Sequence, residues 1–261
     1  ASLPQTGAMR NVSFRIALGL GILLAGAAFS PVSVNPNALW EIVHGKCVVH
    51  EELLRSPLPC IIVDRAGGYA ILKDIDGATQ FLLIPTARVT GIEDPAILAP
   101  AAPNYWQAAW DARNNVEALA GHPLPRDDLS LAINSTFART QNQLHIHIDC
   151  IAPTVRAELR EYGPQVGTTW EPFPVPLSGH AYRAMRVETL NRPGAEPFEL
   201  LADGIPGARQ SMGSEALVIV GTVSPSGDNG FYLLETRADE ATGNHGFGEE
   251  LQDHSCAVGR D

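Results

Sequence analysis

The first apolar block of the chain runs from Ile16 to Phe29, interrupted only by glycines, with Arg10 and Arg15 just before it and no further Lys or Arg until Lys46. That asymmetry predicts a cytoplasmic N-terminus and an exported remainder. The strictly apolar run of about fourteen residues suits a signal-peptide core, and Ala25-Gly26-Ala27 offers small residues for cleavage. With Ser30 to Val34 included it approaches the roughly twenty residues that span a bilayer. We therefore expect residues 9–35 to form a cytoplasmic stub and one transmembrane helix, with a cleaved signal peptide as the alternative. Residues 1–8 precede a Met followed by a basic residue and read as an expression remnant. The folded domain is expected over 36–261.

Beyond the apolar block the pattern changes period several times. Asn35 to Leu54 has helical spacing around Leu39 to Val43. Cys60 to Val63, Tyr69 to Leu72 and Phe81 to Ile84 are short apolar runs separated by Gly67-Gly68 and Asp76-Gly77, which predicts an antiparallel meander. Asn104 to Ala120 reads as a helix stopped by Gly121. Leu129 to Ile133 and Leu144 to Ile151 read as strands, Pro153 to Glu161 as a short helix, and Pro164 to Pro176 as irregular. Phe198 to Ala202, Ala216 to Val223 and Phe231 to Thr236 are expected as strands, the last two joined by a turn at Ser226 to Gly230. No low-complexity linker divides the chain, so the pattern predicts one α+β domain.

Composition narrows the partners. With 45% hydrophobic and 18% charged residues the chain can bury a core. A formal charge of −11 argues against a nucleic-acid partner, because such binding depends on a basic surface that displaces counterions. Export gives meaning to the four cysteines, since disulfides persist in oxidising compartments. Cys47 and Cys60 flank a short Pro-containing loop, which favours a local bridge and leaves Cys150 for Cys256; buried free thiols are the alternative. No pair has C-x-x-C spacing, so no metal site or other cofactor is expected.

The chemistry concentrates in Arg139 to Cys150 (RTQNQLHIHIDC). On a strand, Gln143, His145, His147 and Asp149 share one face while Leu144, Ile146 and Ile148 share the other, which predicts a polar pocket floor with a buried back. A neutral imidazole is a good nucleophile toward phosphorus, and covalent catalysis splits one difficult displacement into two easier ones. A second imidazole two residues on can donate to a phosphoryl oxygen or hold the first in the right tautomer. From spacing alone a metal pair and an incidental H-x-H remain open as well.

This stretch resembles the histidine-triad superfamily, whose signature His-φ-His-φ-His-φ-φ (φ apolar) falls on Gln143 to Ile148. The resemblance implies a histidine-triad-like antiparallel sheet with flanking helices, His145 as nucleophile and His147 as stabiliser of the phosphoryl oxygens. Gln143 at the first position is counted with the catalytic residues, although it departs from the pattern and cannot titrate. Asp74, in a hairpin similar to the superfamily's nucleoside-binding strands, would hydrogen-bond the ribose hydroxyls, and Lys73 beside it is counted with the substrate-binding residues. Asn134 would orient the phosphate, and Thr140 and Gln141 complete the substrate-binding set. The runs ILKDIDG (71–77), LLIPTARVTGIEDP (82–95), SLAINS (130–135), RTQNQLHIHIDC (139–150) and GHAYRAMRV (179–187) resemble, more narrowly, the CDP-diacylglycerol pyrophosphatase family.

That resemblance implies hydrolysis of CDP-diacylglycerol to CMP and phosphatidic acid by a protein of the bacterial inner membrane, with its catalytic domain in the periplasm. It adds His180 and Arg186 as candidate phosphate contacts. The apolar stretch from Trp170 to Leu177 is a candidate for meeting the acyl chains. Two alternatives stay open at this point: a histidine-dependent hydrolase or nucleotidyltransferase acting on another nucleotide diphosphate, and an exported metal- or nucleotide-binding module.

Overall fold

The computed structural model describes residues 35–191, 194, 196–223 and 227–258. Ten strands form one antiparallel sheet: β1 (Ile62–Asp64), β2 (Tyr69–Lys73), β3 (Phe81–Pro85), β4 (Leu129–Ile133), β5 (Ile146–Ile151), β6 (Glu171–Pro172), β7 (Arg183–Val187), β8 (Glu215–Val223), β9 (Asn229–Arg237) and β10 (Gln252–Asp253). Their order is β1-β2-β3-β5-β4-β8-β9-β7-β6, with β10 pairing β5 off this path. β3 pairs with Ile146 to Ile148 of β5, and β10 takes over as the partner of Cys150 and Ile151.

Alternation along these strands assigns two faces. Leu83, Leu131, Ile146, Ile148, Leu217, Ile219 and Leu233 bury one face, together with Trp106 and Trp110. The helices on that side are α3 (Tyr105–Asp111), α4 (Asn114–Ala120) and α6 (Pro197–Gly204). On the opposite face two separate clusters form. Ala70, Leu72, Leu82 and Ile84 pack under Leu39, Val43 and Cys47 of a helical stretch made of α1 (Ala38–Ile42), a π-helical segment (Val43–Val48) and α2 (Val49–Leu54). Ala132, Val218, Val220 and Leu234 pack under Val155 and Leu159 of α5 (Pro153–Tyr162). His147 sits in register between Leu82 of the first cluster and Ala132 of the second, so it lies in the gap the two helical covers leave open.

Several expectations are corrected. The stub and membrane segment expected over residues 9–35 lies, up to residue 34, outside the described residues, and among the described residues no helix is long and apolar enough to cross a membrane. The helical stretch nearest to it, Ala38 to Leu54, carries Glu41, Lys46, Glu51 and Glu52. The fold class headed by a transmembrane helix is therefore replaced by a mixed α/β fold on a ten-stranded antiparallel sheet. Phe198 to Ala202 is helical, not extended. Glu196 caps the helix by accepting from the Glu199 N–H at 3.0 Å, Pro197 occupies the first turn, and Phe198, Leu201 and Ala202 bury one stripe. The helix expected over Asn104 to Ala120 is two helices, the second closed by Gly121 at φ +82°.

Both expected disulfides are present, Cys47–Cys60 and Cys150–Cys256, which fits an oxidising compartment. The first ties the π-helical segment to the chain entering β1. The second ties the segment after β10 to β5, beside the histidines.

Candidate active site

A cavity of about 800 Å³ opens in the gap described above. Its floor holds His145 and His147, its walls are Leu39 and Ile42 of α1 and the β2–β3 hairpin from Leu72 to Asp76, and Glu249, Phe247 and His254 close the third side. Ile75, at the hairpin tip, is 97% exposed at the rim.

His145 lies one residue before β5 and is buried, with 8% of its surface accessible. Its Nδ1–H donates to the Gln143 carbonyl at 2.7 Å, which fixes the tautomer and leaves Nε2 as the lone-pair nitrogen. Burial, reinforced by His147 alongside, pushes its pKa down to about 4. At neutral pH the ring is therefore an uncharged base. His147 stands edge-on to it, with ring centroids 4.8 Å apart.

His147 is held by two residues that no pattern along the chain advertises. Gln80 Nε2 lies 2.7 Å from His147 Nδ1 and donates to Glu249 Oε1 at 2.9 Å, and the same Glu249 oxygen is 3.0 Å from His147 Nδ1. With a neutral ring, Gln80 donates to both and the ring hydrogen sits on Nε2. With a protonated ring, Nδ1–H donates to Glu249 and Nε2 keeps its own hydrogen. His147 Nε2 is buried and without a protein partner among the described residues. Burial disfavours ionising Glu249, but His147 and the hydrogen bonds from His147, Asn134 and Gln80 overcome it and bring its pKa to about 2. Asn134 clasps this carboxylate, donating from Nδ2 to Oε2 at 2.6 Å while its Oδ1 accepts from the Glu249 N–H at 3.2 Å.

The remaining expected site residues divide into two groups. Asp74, Lys73, Asn134, Thr140 and Gln141 all line the cavity. Lys73 Nζ donates to the Asp74 and Gly77 carbonyls at 2.8 and 3.1 Å, stiffening the hairpin that presents Asp74. Gln141 accepts from the Leu39 N–H and donates to the Asn35 carbonyl, so it also fixes the start of α1. Arg139 joins the cavity wall and is paired through both guanidinium nitrogens with Glu93.

Gln143, His180 and Arg186 do not line this cavity. Gln143 is fully buried, and its amide donates to the Pro85 and Ala87 carbonyls at 3.0 and 2.9 Å. It locks the chain leaving β3 against the histidine segment. His180 Nδ1 lies 2.8 Å from Glu250 Oε2, and Tyr182 donates to Oε1 of the same carboxylate at 2.7 Å. Their link to the site runs through the turn that carries Glu249. Arg186 is on β7, four places along the sheet from β5. The stretch from Trp170 to Leu177 contributes nothing to the cavity either; Phe173 and Leu177 are buried in the α5 cluster.

Asp149 faces the same side as His147 and is completely buried. Its Oδ1 accepts from Thr79 Oγ1 at 2.7 Å and from the Cys150 N–H at 2.9 Å, and its Oδ2 accepts from His254 Nδ1 at 2.8 Å. Gln80, Glu249 and His254 line the cavity and are the site residues that sequence reasoning missed. A signal for His254 existed, since pairing Cys256 with Cys150 brings its neighbours beside Asp149. Glu249 carried none.

The model of the CDP-diacylglycerol pyrophosphatase family matches residues 34–260, the whole described fold. The chain belongs to the CDP-diacylglycerol pyrophosphatase family. A CDP-diacylglycerol pyrophosphatase of Yersinia pestis is 43% identical over 239 residues, covering 91% of this chain and 90% of that protein. The family match therefore takes in both halves of the site, the histidine pair before and on β5 and the Glu249–His254 segment that closes over it.

Proposed function

We propose that this hydrolase of CDP-diacylglycerol works through a nucleotidyl-histidine formed on His145, in the manner of the histidine-triad superfamily that its His145-Ile146-His147 pattern resembles. The observation that carries the reading is the tautomer of His145. A ring with Nδ1–H on a backbone carbonyl, a pKa near 4 and Nε2 toward the cavity is a nucleophile that needs no base to activate it. His145 Nε2 adds to the cytidine-side phosphorus, phosphatidate leaves, and water then releases CMP.

We assign the His147 ring hydrogen to Nε2, with Gln80 donating to Nδ1, which makes Nε2–H a donor in a buried setting where it is worth more than in water. The Glu249 carboxylate holds it there and the Asn134 clasp holds Glu249. Asp74 on its hairpin is the group we assign to the ribose hydroxyls. The apolar wall of Leu39, Ile42, Leu72 and Leu82, running out to Phe247 and Ile75, suits a substrate that carries a lipid on one phosphate. A periplasmic setting fits the two disulfides.

The test is to quench the enzyme with base during turnover of CDP-diacylglycerol labelled with ³²P in the cytidine-side phosphate. Base-stable, acid-labile label on the peptide containing His145, absent in His145→Ala, is the expected result. Turnover by wild type with no protein-bound label at any quench time, together with activity in His145→Ala, would mean that water attacks directly.

A further inference from the structure

The reaction needs a group that the triad position does not supply. When the phosphorus–oxygen bond breaks, the bridging oxygen gains an electron pair and a proton there makes it a better leaving group. Gln143, at the position where the superfamily has its first histidine, cannot titrate, has its amide nitrogen committed to two backbone carbonyls, and does not line the cavity.

His254 lies on the cavity wall and keeps 34% of its side chain exposed. Its Nδ1–H is taken up by the fully buried Asp149, whose other oxygen is already satisfied by Thr79 and the Cys150 N–H. That anchoring turns Nε2 away from Asp149. Nε2 comes within 3.7 Å of Glu249 Oε1, the same oxygen that lies 3.0 Å from His147 Nδ1. The two imidazoles thus stand on one carboxylate oxygen at the cavity edge. The position is fixed by covalent and backbone bonds: β10 pairs with β5, and Cys256, two residues on, is bridged to Cys150.

From this geometry, and resting on His145 as the nucleophile, we infer that His254 is the proton donor to the leaving phosphatidate, filling the role vacated at position 143. The charged groups facing it are Asp149 on β5, Glu249 on the preceding turn and Asp74 on the β2–β3 hairpin, with Asp253 next to it in the chain. The hydrogen bond to Asp149, helped by the charges of Asp149, Glu249 and Asp74, raises its pKa above the ordinary histidine value and favours the protonated ring when substrate arrives.

In the first step the His145 Nε2 lone pair forms the bond to phosphorus. The bond to the bridging oxygen breaks, its electron pair stays on that oxygen, and His254 Nε2 gives it a proton. In the second step water adds its oxygen to the same phosphorus and passes a proton to the now neutral His254. The P–N bond breaks, its electron pair returns to His145, and CMP departs with both imidazoles restored.

The test separates leaving groups. Single-turnover release is measured for the full chain and for His254→Gln and His254→Ala. One substrate is CDP-diacylglycerol; the other is cytidine 5′-(2,4-dinitrophenyl phosphate), whose leaving phenolate departs without a proton. His254→Gln is expected to slow phosphatidate release by about 10²- to 10⁴-fold while dinitrophenolate release stays within a few-fold. Added imidazole is expected to restore part of the lost rate in His254→Ala. Equal slowing on both substrates, or none on either, overturns the role of His254. Failure of wild type to form nucleotidyl-His145 on either substrate overturns the nucleophile assignment and this inference with it. An unchanged melting temperature and intact disulfides in His254→Gln exclude misfolding as the cause of a loss.

Discussion

The neutral state of His145 has a cost that can be measured away from catalysis. In the unfolded chain this histidine titrates near 6.5, whereas in the fold its pKa is about 4. Between those values the unfolded state carries a proton that the folded state refuses, so stability falls as pH drops from 6.5 to 4 and rises again with pH. Each pKa unit is about 1.4 kcal/mol, which makes the full loss about 3 kcal/mol and leaves about 2 to 3 kcal/mol of it expressed by pH 4.5. His145→Asn removes the titration. Urea unfolding of both proteins at pH 7.5 and pH 4.5 gives four stabilities. The loss between the two pH values should be larger in wild type by about 2 to 3 kcal/mol. Subtracting one loss from the other cancels acid effects from Glu249, His254 and the remaining carboxylates, which both proteins share. Equal losses in the two proteins would show that His145 is not held neutral, and the case for an unassisted nucleophile would fall.

Three further outcomes follow from the site. His147→Ala should lower kcat by about 10²- to 10³-fold with little change in KM, because its Nε2–H acts on charge that develops in the transition state; a rise in KM alone would identify it as a binding residue. Gln143→Ala leaves the Pro85 and Ala87 carbonyls without their donor and should cost about 1–3 kcal/mol in a urea titration, and a variant as stable as wild type would refute the buried locking role. Replacing Cys150 and Cys256 by Ser opens a 106-residue separation and should cost about 4–5 kcal/mol, against about 3 kcal/mol for the 13-residue separation of Cys47 and Cys60. Activity should fall in the first double variant and persist in the second, and the reverse order would refute the anchoring of His254 by its neighbour.

Much of this arrangement was legible along the chain. Period-two alternation in Leu144 to Ile151 places His147 and Asp149 on one face, and the structure puts Ile146 and Ile148 in the core behind them. The cysteine spacing foretold both bridges. Two kinds of feature were not legible. Phe198 to Ala202 is an apolar run too short for its period to declare itself, and the capping carboxylate of Glu196 decided the matter. The contact of Gln80 with Glu249 joins residues 169 positions apart, and no local pattern marks a Glu or a Gln as the partner of a distant imidazole. Gln143 misled for a related reason. Its place in the motif suggested a catalytic role, but its side chain follows the loop after β3 into the protein.

β10 adds only two residues to the sheet, yet it decides when the enzyme comes into being. His147 is synthesised about a hundred residues ahead of Glu249, which holds its ring, and β5 pairs with β3 and β4 as well as with β10. A chain emerging from the ribosome therefore carries the histidine pair long before it carries the turn with Glu249 or the His254 imidazole. Assembly finishes only when that late segment is laid beside β5 and sealed by oxidation of Cys150 and Cys256. The Cys150–Cys256 bridge therefore closes across a separation of 106 residues, only after both sides of the cavity have been made.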